Sequence, residues 1–107
     1  MSDPAGPVFS ALSDPTRRQV VQRLSDRGPQ SATALAADLP ISRQAVSKHL
    51  TALADAGLVQ TERVGREMRY SLTVRPVHDA VSWLANLGAE WDERLAALQA
   101  HLDRRGR

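Results

Sequence analysis

The stretch from Ser42 to Leu58, SRQAVSKHLTALADAGL, admits few folds because one helix there must satisfy two different partners. Val46, Leu50, Leu53 and, past the helix end, Leu58 recur at helical spacing and form a single apolar stripe, which needs a core. Arg43, Gln44, Ser47, Lys48, Thr51 and Asp55 fall on the opposite side and offer guanidinium, amide, hydroxyl and ammonium groups with little bulk. Such a face fits a groove. Ser42 suits the N-cap, where its hydroxyl accepts an early backbone N–H, and Gly57 suits the left-handed residue that closes a helix. A solvated surface helix shares this pattern, so the flanking segments have to decide between the two.

On the N-terminal side, residues 1–7 are small and polar with Pro4, Gly6 and Pro7, which reads as a disordered lead-in. Val8, Phe9 and Leu12 mark a short helix. Asp14 can cap a second one, with Pro15 at its first position and Val20, Val21 and Leu24 facing inward until Gly28-Pro29 stops it. Ser31 opens a third helix whose Leu35, Ala36 and Leu39 form a narrow apolar edge. Pro40-Ile41-Ser42 then turns directly into the next helix, so residues 31–56 read as helix, tight turn, helix, with the groove-compatible face on the second.

After Leu58 the period changes from helical to alternating. Met68, Tyr70 and Leu72 alternate with Glu67, Arg69 and Ser71, and Val59 to Val64 supplies a partner strand, with Gly65-Arg66 as the turn. Arg63, Arg66 and Arg69 lie on or near the tip of this hairpin, where they can reach phosphate or a minor groove beside a bound helix. The hairpin reads as a wing.

Pro76 starts the last helix, about residues 76–104. Val77, Val81, Leu84, Gly88, Trp91, Leu95, Leu98 and Leu102 recur there at alternating spacings of four and three, which is a heptad stripe. Gly88 interrupts it at a cost of roughly 1 kcal/mol relative to Ala, so a weakening or bend is expected at that point. Trp83 and Leu87 widen the stripe beyond what one intramolecular contact covers. Dimerisation through this helix, with Val77, Val81, Leu84, Gly88, Trp91, Leu95 and Leu98 at the interface, is the expectation, against folding back onto the core.

Charge and composition narrow the function further. The chain of 107 residues has a net charge of +2, but residues 42–75 alone carry +3, so the positive excess sits around the proposed recognition helix and wing, as a phosphate-facing surface requires. There is no cysteine, which removes disulfides, thiolate metal sites and thiol redox sensing, and cytoplasm fits. No stretch has the length of a membrane span or the pattern of a signal peptide. An enzyme is not expected, because the chain has no nucleophile elbow, no phosphate loop, no metal set and no cluster of acids in a plausible cleft.

Together these residues resemble the ArsR-type winged helix-turn-helix transcription regulators, from Val8 to about Leu102. The resemblance is carried by Leu12-Ser13-Asp14-Pro15-Thr16-Arg17-Arg18, by Ser42 to Leu50, by Ala56-Gly57-Leu58-Val59, and by Val64-Gly65-Arg66-Glu67 with Tyr70 and Leu72. It implies a mainly α fold with a small β-hairpin over residues 8–104, dimerising through its terminal helices. It also implies a homodimer that binds double-stranded DNA at a partly palindromic operator, usually near its own operon, and represses by occlusion. Carried over residue by residue, Ser42, Arg43, Gln44, Ser47 and Lys48 would lie against the major groove, His49 near the backbone and Arg66 in the wing.

The chemistry of these side chains separates their expected roles. A guanidinium grips guanine and an amide grips adenine through paired hydrogen bonds, so Arg43 and Gln44 are the expected base readers. Lys48 and Arg66 are expected on phosphate. Ser42 is equally a cap, and His49 equally a packed histidine. Metal-sensing members place cysteines before the turn, where this chain has Ser31 to Asp38 without one. His78, Asp79 and His101 are too scattered for a zinc or nickel set, so the resemblance is to the metal-independent branch, with Trp91-Asp92-Glu93-Arg94-Leu95 similar to it. No cofactor is expected and no effector is readable. The competing reading is a winged-helix module for protein interaction or dimerisation without specific DNA binding.

Overall fold

Side-chain caps and prolines set where the helices begin. The computed structural model describes residues 5–105, which run in the order α1 (Gly6–Ala11), α2 (Pro15–Arg27), β1 (Gln30–Ser31), α3 (Ala32–Asp38), α4 (Arg43–Asp55), β2 (Val59–Val64), β3 (Glu67–Leu72) and α5 (Arg75–Arg105). The Asp14 carboxylate accepts the N–H groups of Thr16 at 2.7 Å and Arg17 at 3.1 Å and so starts α2. Ser31 and Ser42 start α3 and α4 in the same way, each hydroxyl accepting the N–H three residues on, from Ala34 and Ala45, at 3.1 Å. Helix α1 begins at Gly6, with Pro7 in its first turn and Ala5 buried beside Val8 and Ala11. Of the expected lead-in over 1–7, Ala5 is buried in the core and Gly6 and Pro7 are helical; residues 1–4 lie outside the described residues.

The end of α4 is as sharply marked as its start. Gly57 takes a φ of 77°, its N–H bonds the Ala54 carbonyl, and the Leu58 N–H bonds the Leu53 carbonyl, both at 2.9 Å. This paired closure needs a residue free to adopt positive φ, and it returns Leu58 to the core fully buried.

The sheet has one more strand than expected. β2 pairs antiparallel with β3 from Val59↔Leu72 to Val64↔Glu67, and β1 joins the other edge of β3 through Gln30↔Tyr70 and Ser31↔Arg69. Two residues are too few to show alternation, so β1 carries no periodic signal, and Ser31 serves both as strand residue and as helix cap. Inside this frame Val20, Leu24, Leu35, Val46, Leu50, Leu53 and Leu58 form one core, with Tyr70 and Leu72 packed against it from the sheet.

Helix α5 does not share that core along most of its length. Ala80 is buried and Val77 half-buried, but Val81, Leu84, Trp91, Leu95, Leu98 and Leu102 are exposed. The helix runs unbroken through Gly88, so the weak point expected there does not interrupt it. Its 31 residues span roughly 46 Å at 1.5 Å per residue. The radius of gyration is accordingly 19.9 Å, against about 13 Å for a compact chain near this length, because the second half of α5 stands clear of the body.

The stripe of α4 should dominate stability. Leu50→Ala is expected to cost about 2–5 kcal/mol in urea unfolding. Thr51→Ala, on the exposed side of the same helix, should stay within about 0.5 kcal/mol. Similar losses for both would contradict the assigned faces.

Candidate nucleic-acid interface

With Val46, Leu50 and Leu53 buried, the other side of α4 has to face outward. Arg43, Gln44, Lys48 and Thr51 are exposed and Ser47 is half-buried. Ser42 is exposed, with its hydroxyl engaged in the cap. Arg43 and Ser47 line a cleft of about 290 Å³ together with Arg66, Glu67, Met68 and Tyr70 of the wing hairpin and with Ser31 and Thr33 at the start of α3. The recognition helix and the wing thus line one concavity, each contributing a guanidinium-bearing residue, Arg43 from the helix and Arg66 from the wing.

The hairpin register sorts the remaining wing residues. Residues directly opposite one another share a face, so Val59, Thr61 and Arg63 lie on the side of Met68, Tyr70 and Leu72, towards the helices. Gln60, Glu62 and Val64 lie on the other side with Glu67, Arg69 and Ser71. Arg69 therefore sits opposite Glu62, and its Nε donates to Glu67 Oε2 at 3.2 Å, so it is already matched by acids. Arg66 follows Gly65, which takes the positive φ of 63° that a two-residue hairpin turn requires.

His49 is placed differently from the other expected contacts. It lies on the flank of α4 towards the start of α2, half-buried, and its Nδ1 accepts from Arg17 Nε at 3.4 Å. Among the described residues no three His, Cys, Asp or Glu side chains gather as a metal site, and no helix is long and apolar enough to cross a membrane. Ser31 and Thr33 were not legible as cleft residues. Their only signal was polarity at a helix start, which capping already explains.

Known proteins share both the fold and the pattern. A family model described as a helix-turn-helix domain matches residues 12–62. The transcriptional repressor SdpR of Bacillus subtilis is 34% identical over 82% of this chain and 97% of its own length. An ArsR-like transcriptional regulator from Rhodococcus sp. RHA1 superposes with a TM-score of 0.82 at 47% identity, covering 89% of each chain. This chain belongs to the ArsR family. It is a winged helix-turn-helix, DNA-binding transcriptional regulator and not an enzyme. A probable mercury resistance operon repressor of Streptomyces lividans is also similar to this regulator, at 35% identity over 82% of this chain and 70% of its own.

Among the described residues, the one clear titration shift lies at the regulator's α1–α2 corner. The Arg17 N–H is the main cause holding the Asp14 carboxyl below its ordinary 3.8; desolvation opposes it, and the Thr16 N–H and the Arg17 guanidinium add to it. A depressed folded pKa means that this stabilisation is present above the unfolded value and is lost as pH falls through the folded one. Asp14→Ala is therefore expected to lower the thermal midpoint at neutral pH, with the gap to wild type narrowing as pH falls through and below 3.8. A gap that stays constant across that range would contradict the charged cap.

Proposed function

We propose that the regulator acts as a homodimer whose two recognition helices read the half-sites of a partly palindromic operator, and that it represses transcription by occupying promoter DNA, including that of its own operon. The observation that carries this reading is the cleft that Arg43 and Ser47 of α4 line together with Arg66 of the wing, on the side of the helix opposite its fully buried stripe. Arg43 and Gln44 read base edges, Ser47 lies beside them in the groove, and Lys48 and Arg66 hold phosphate. Arg63, on the helix-facing side of the wing, adds positive charge to the same approach, whereas Arg69 adds less because Glu67 engages it.

The dimer reading is supported by what α5 leaves uncovered. Val81, Leu84, Trp91, Leu95 and Leu98 form a half-exposed stripe along one side, and a contiguous apolar surface of that extent marks an interaction face. At Gly88 nothing lies within 4 Å of where a Cβ would stand, which leaves room for close approach of a second helix. The Phe9 and Trp83 rings meet edge to face at 6.2 Å, which brings α1 to the same assembly.

The similar proteins of Bacillus subtilis and Streptomyces lividans are named as repressors, which supports repression here. The mercury in the second name belongs to that protein; this sequence has no thiolate for a soft metal, and metal-independent control is the reading that fits its side chains. The regulator works where the DNA is, in the cytoplasm.

Charge reversal tests the reading face. Arg43→Glu combined with Lys48→Glu should abolish specific binding of duplex DNA in fluorescence anisotropy, while sedimentation still shows a dimer. Unchanged DNA affinity would remove this face and favour a protein-interaction module.

A further inference from the structure

From the geometry of the α1–α2 corner we infer that Arg17 is a positioning residue for the recognition helix, setting the roll of α4 by a directional bond to His49 and tying that roll to the α1–α5 unit. The inference rests on the DNA-binding reading and adds to it a residue that need not touch DNA. The buried stripe of Val46, Leu50 and Leu53 decides which side of α4 points inward, but apolar burial is non-directional and tolerates small rotations and slides. Base readout does not tolerate them, since a productive site must be held within about 0.5 Å and 10–20°.

The Arg17–His49 bond supplies the missing direction. Among the described residues it is the one side-chain hydrogen bond that joins α4 to another helix: Ser42 and Thr51 both bond within their own helical turn. Arginine suits the task because its planar fork donates along fixed directions from one rigid group. Here Nε points to His49 Nδ1 at 3.4 Å and Nη1 to the Ala11 carbonyl, at the end of α1, at 3.5 Å. Arg18 Nη1 holds the adjacent Leu12 carbonyl at 2.6 Å, so both carbonyls leaving α1 are fastened to the first turn of α2. Acceptance at Nδ1 requires the neutral imidazole with its proton on Nε2. The Asp14 cap fixes the turn that carries Arg17. At the other end of α1, Phe9 meets Trp83 of α5. Physical contacts thus run from the proposed dimer helix through α1 and Arg17 to the middle of the recognition helix.

The test is a double-mutant cycle on a duplex selected by the wild-type protein from a random library, with circular dichroism confirming the fold of each variant. Arg17→Ala and His49→Ala should each weaken binding about tenfold, and the double variant should bind no worse than either single one. His49→Asn, which can present an acceptor near the Nδ1 position, should restore most of the affinity. The slope of log affinity against log salt should stay unchanged in Arg17→Ala, whereas loss of a phosphate contact would lower it by about one. In the protein without DNA, Arg17→Ala should speed amide exchange in α4 and leave α5 unaffected. Multiplying effects, a reduced salt slope, a His49→Asn variant as weak as His49→Ala, or unaltered exchange in α4 would overturn the assignment. A wild-type protein that selects no duplex would instead sink the DNA-binding reading, with the exchange result still deciding the role of Arg17.

Discussion

Burial of one stripe of α4 is the interaction on which the rest of the molecule depends. Val46, Leu50 and Leu53 have no measurable exposure, and burying each such side chain contributes roughly 1.5–3 kcal/mol. Because side chains in a helix have fixed angular positions, committing this stripe inward sends Arg43, Gln44, Lys48 and Thr51 outward without any further instruction. The same stripe continues past the helix end to Leu58, which the glycine-assisted closure returns to the core. That closure sets the direction in which β2 leaves, and hence the place of the wing. Arg66 lines one cleft with Arg43 as a consequence of packing on the opposite side of the helix.

Electrostatics then acts on a frame it did not build. The net charge of +2 is small for a DNA-binding protein, but the excess is concentrated on α4 and the wing, where it is next to the groove-compatible surface. Phosphate contacts made there would raise affinity for any duplex and make it salt-dependent, leaving sequence choice to the two residues that can form paired bonds with base edges. The acids of the wing limit this further. Glu67 takes up Arg69, so the number of arginines in the hairpin overstates the charge available to DNA.

Much of this was legible in the sequence, for physical reasons that differ by element. Helix α4 was readable because an apolar period, a capping serine and a closing glycine all agree; the β2–β3 hairpin was readable because six residues of alternation flank a glycine turn. β1 was not, since Gln30 and Ser31 are too short for a period and Ser31 already had an explanation as a cap. Gly88 was expected to weaken or bend α5, and the helix continues through it, since one glycine in a 31-residue helix is outweighed by the hydrogen bonds on either side of it. His49 could not be assigned from its position, because its partner Arg17 lies 32 residues earlier and only the packing of α2 against α4 brings them together. The cleft residues Ser31 and Thr33 were missed on the same ground, as their meeting with Arg66 depends on the tertiary fold.

Whether two copies of this reading face act together on DNA is decided by footprinting on the DNA upstream of the regulator's own gene. Two protected half-sites with centres about one helical turn apart, roughly 10 bp, are expected from a symmetric dimer. Protection of a single half-site, or uniform protection that unrelated DNA removes equally well, would contradict it.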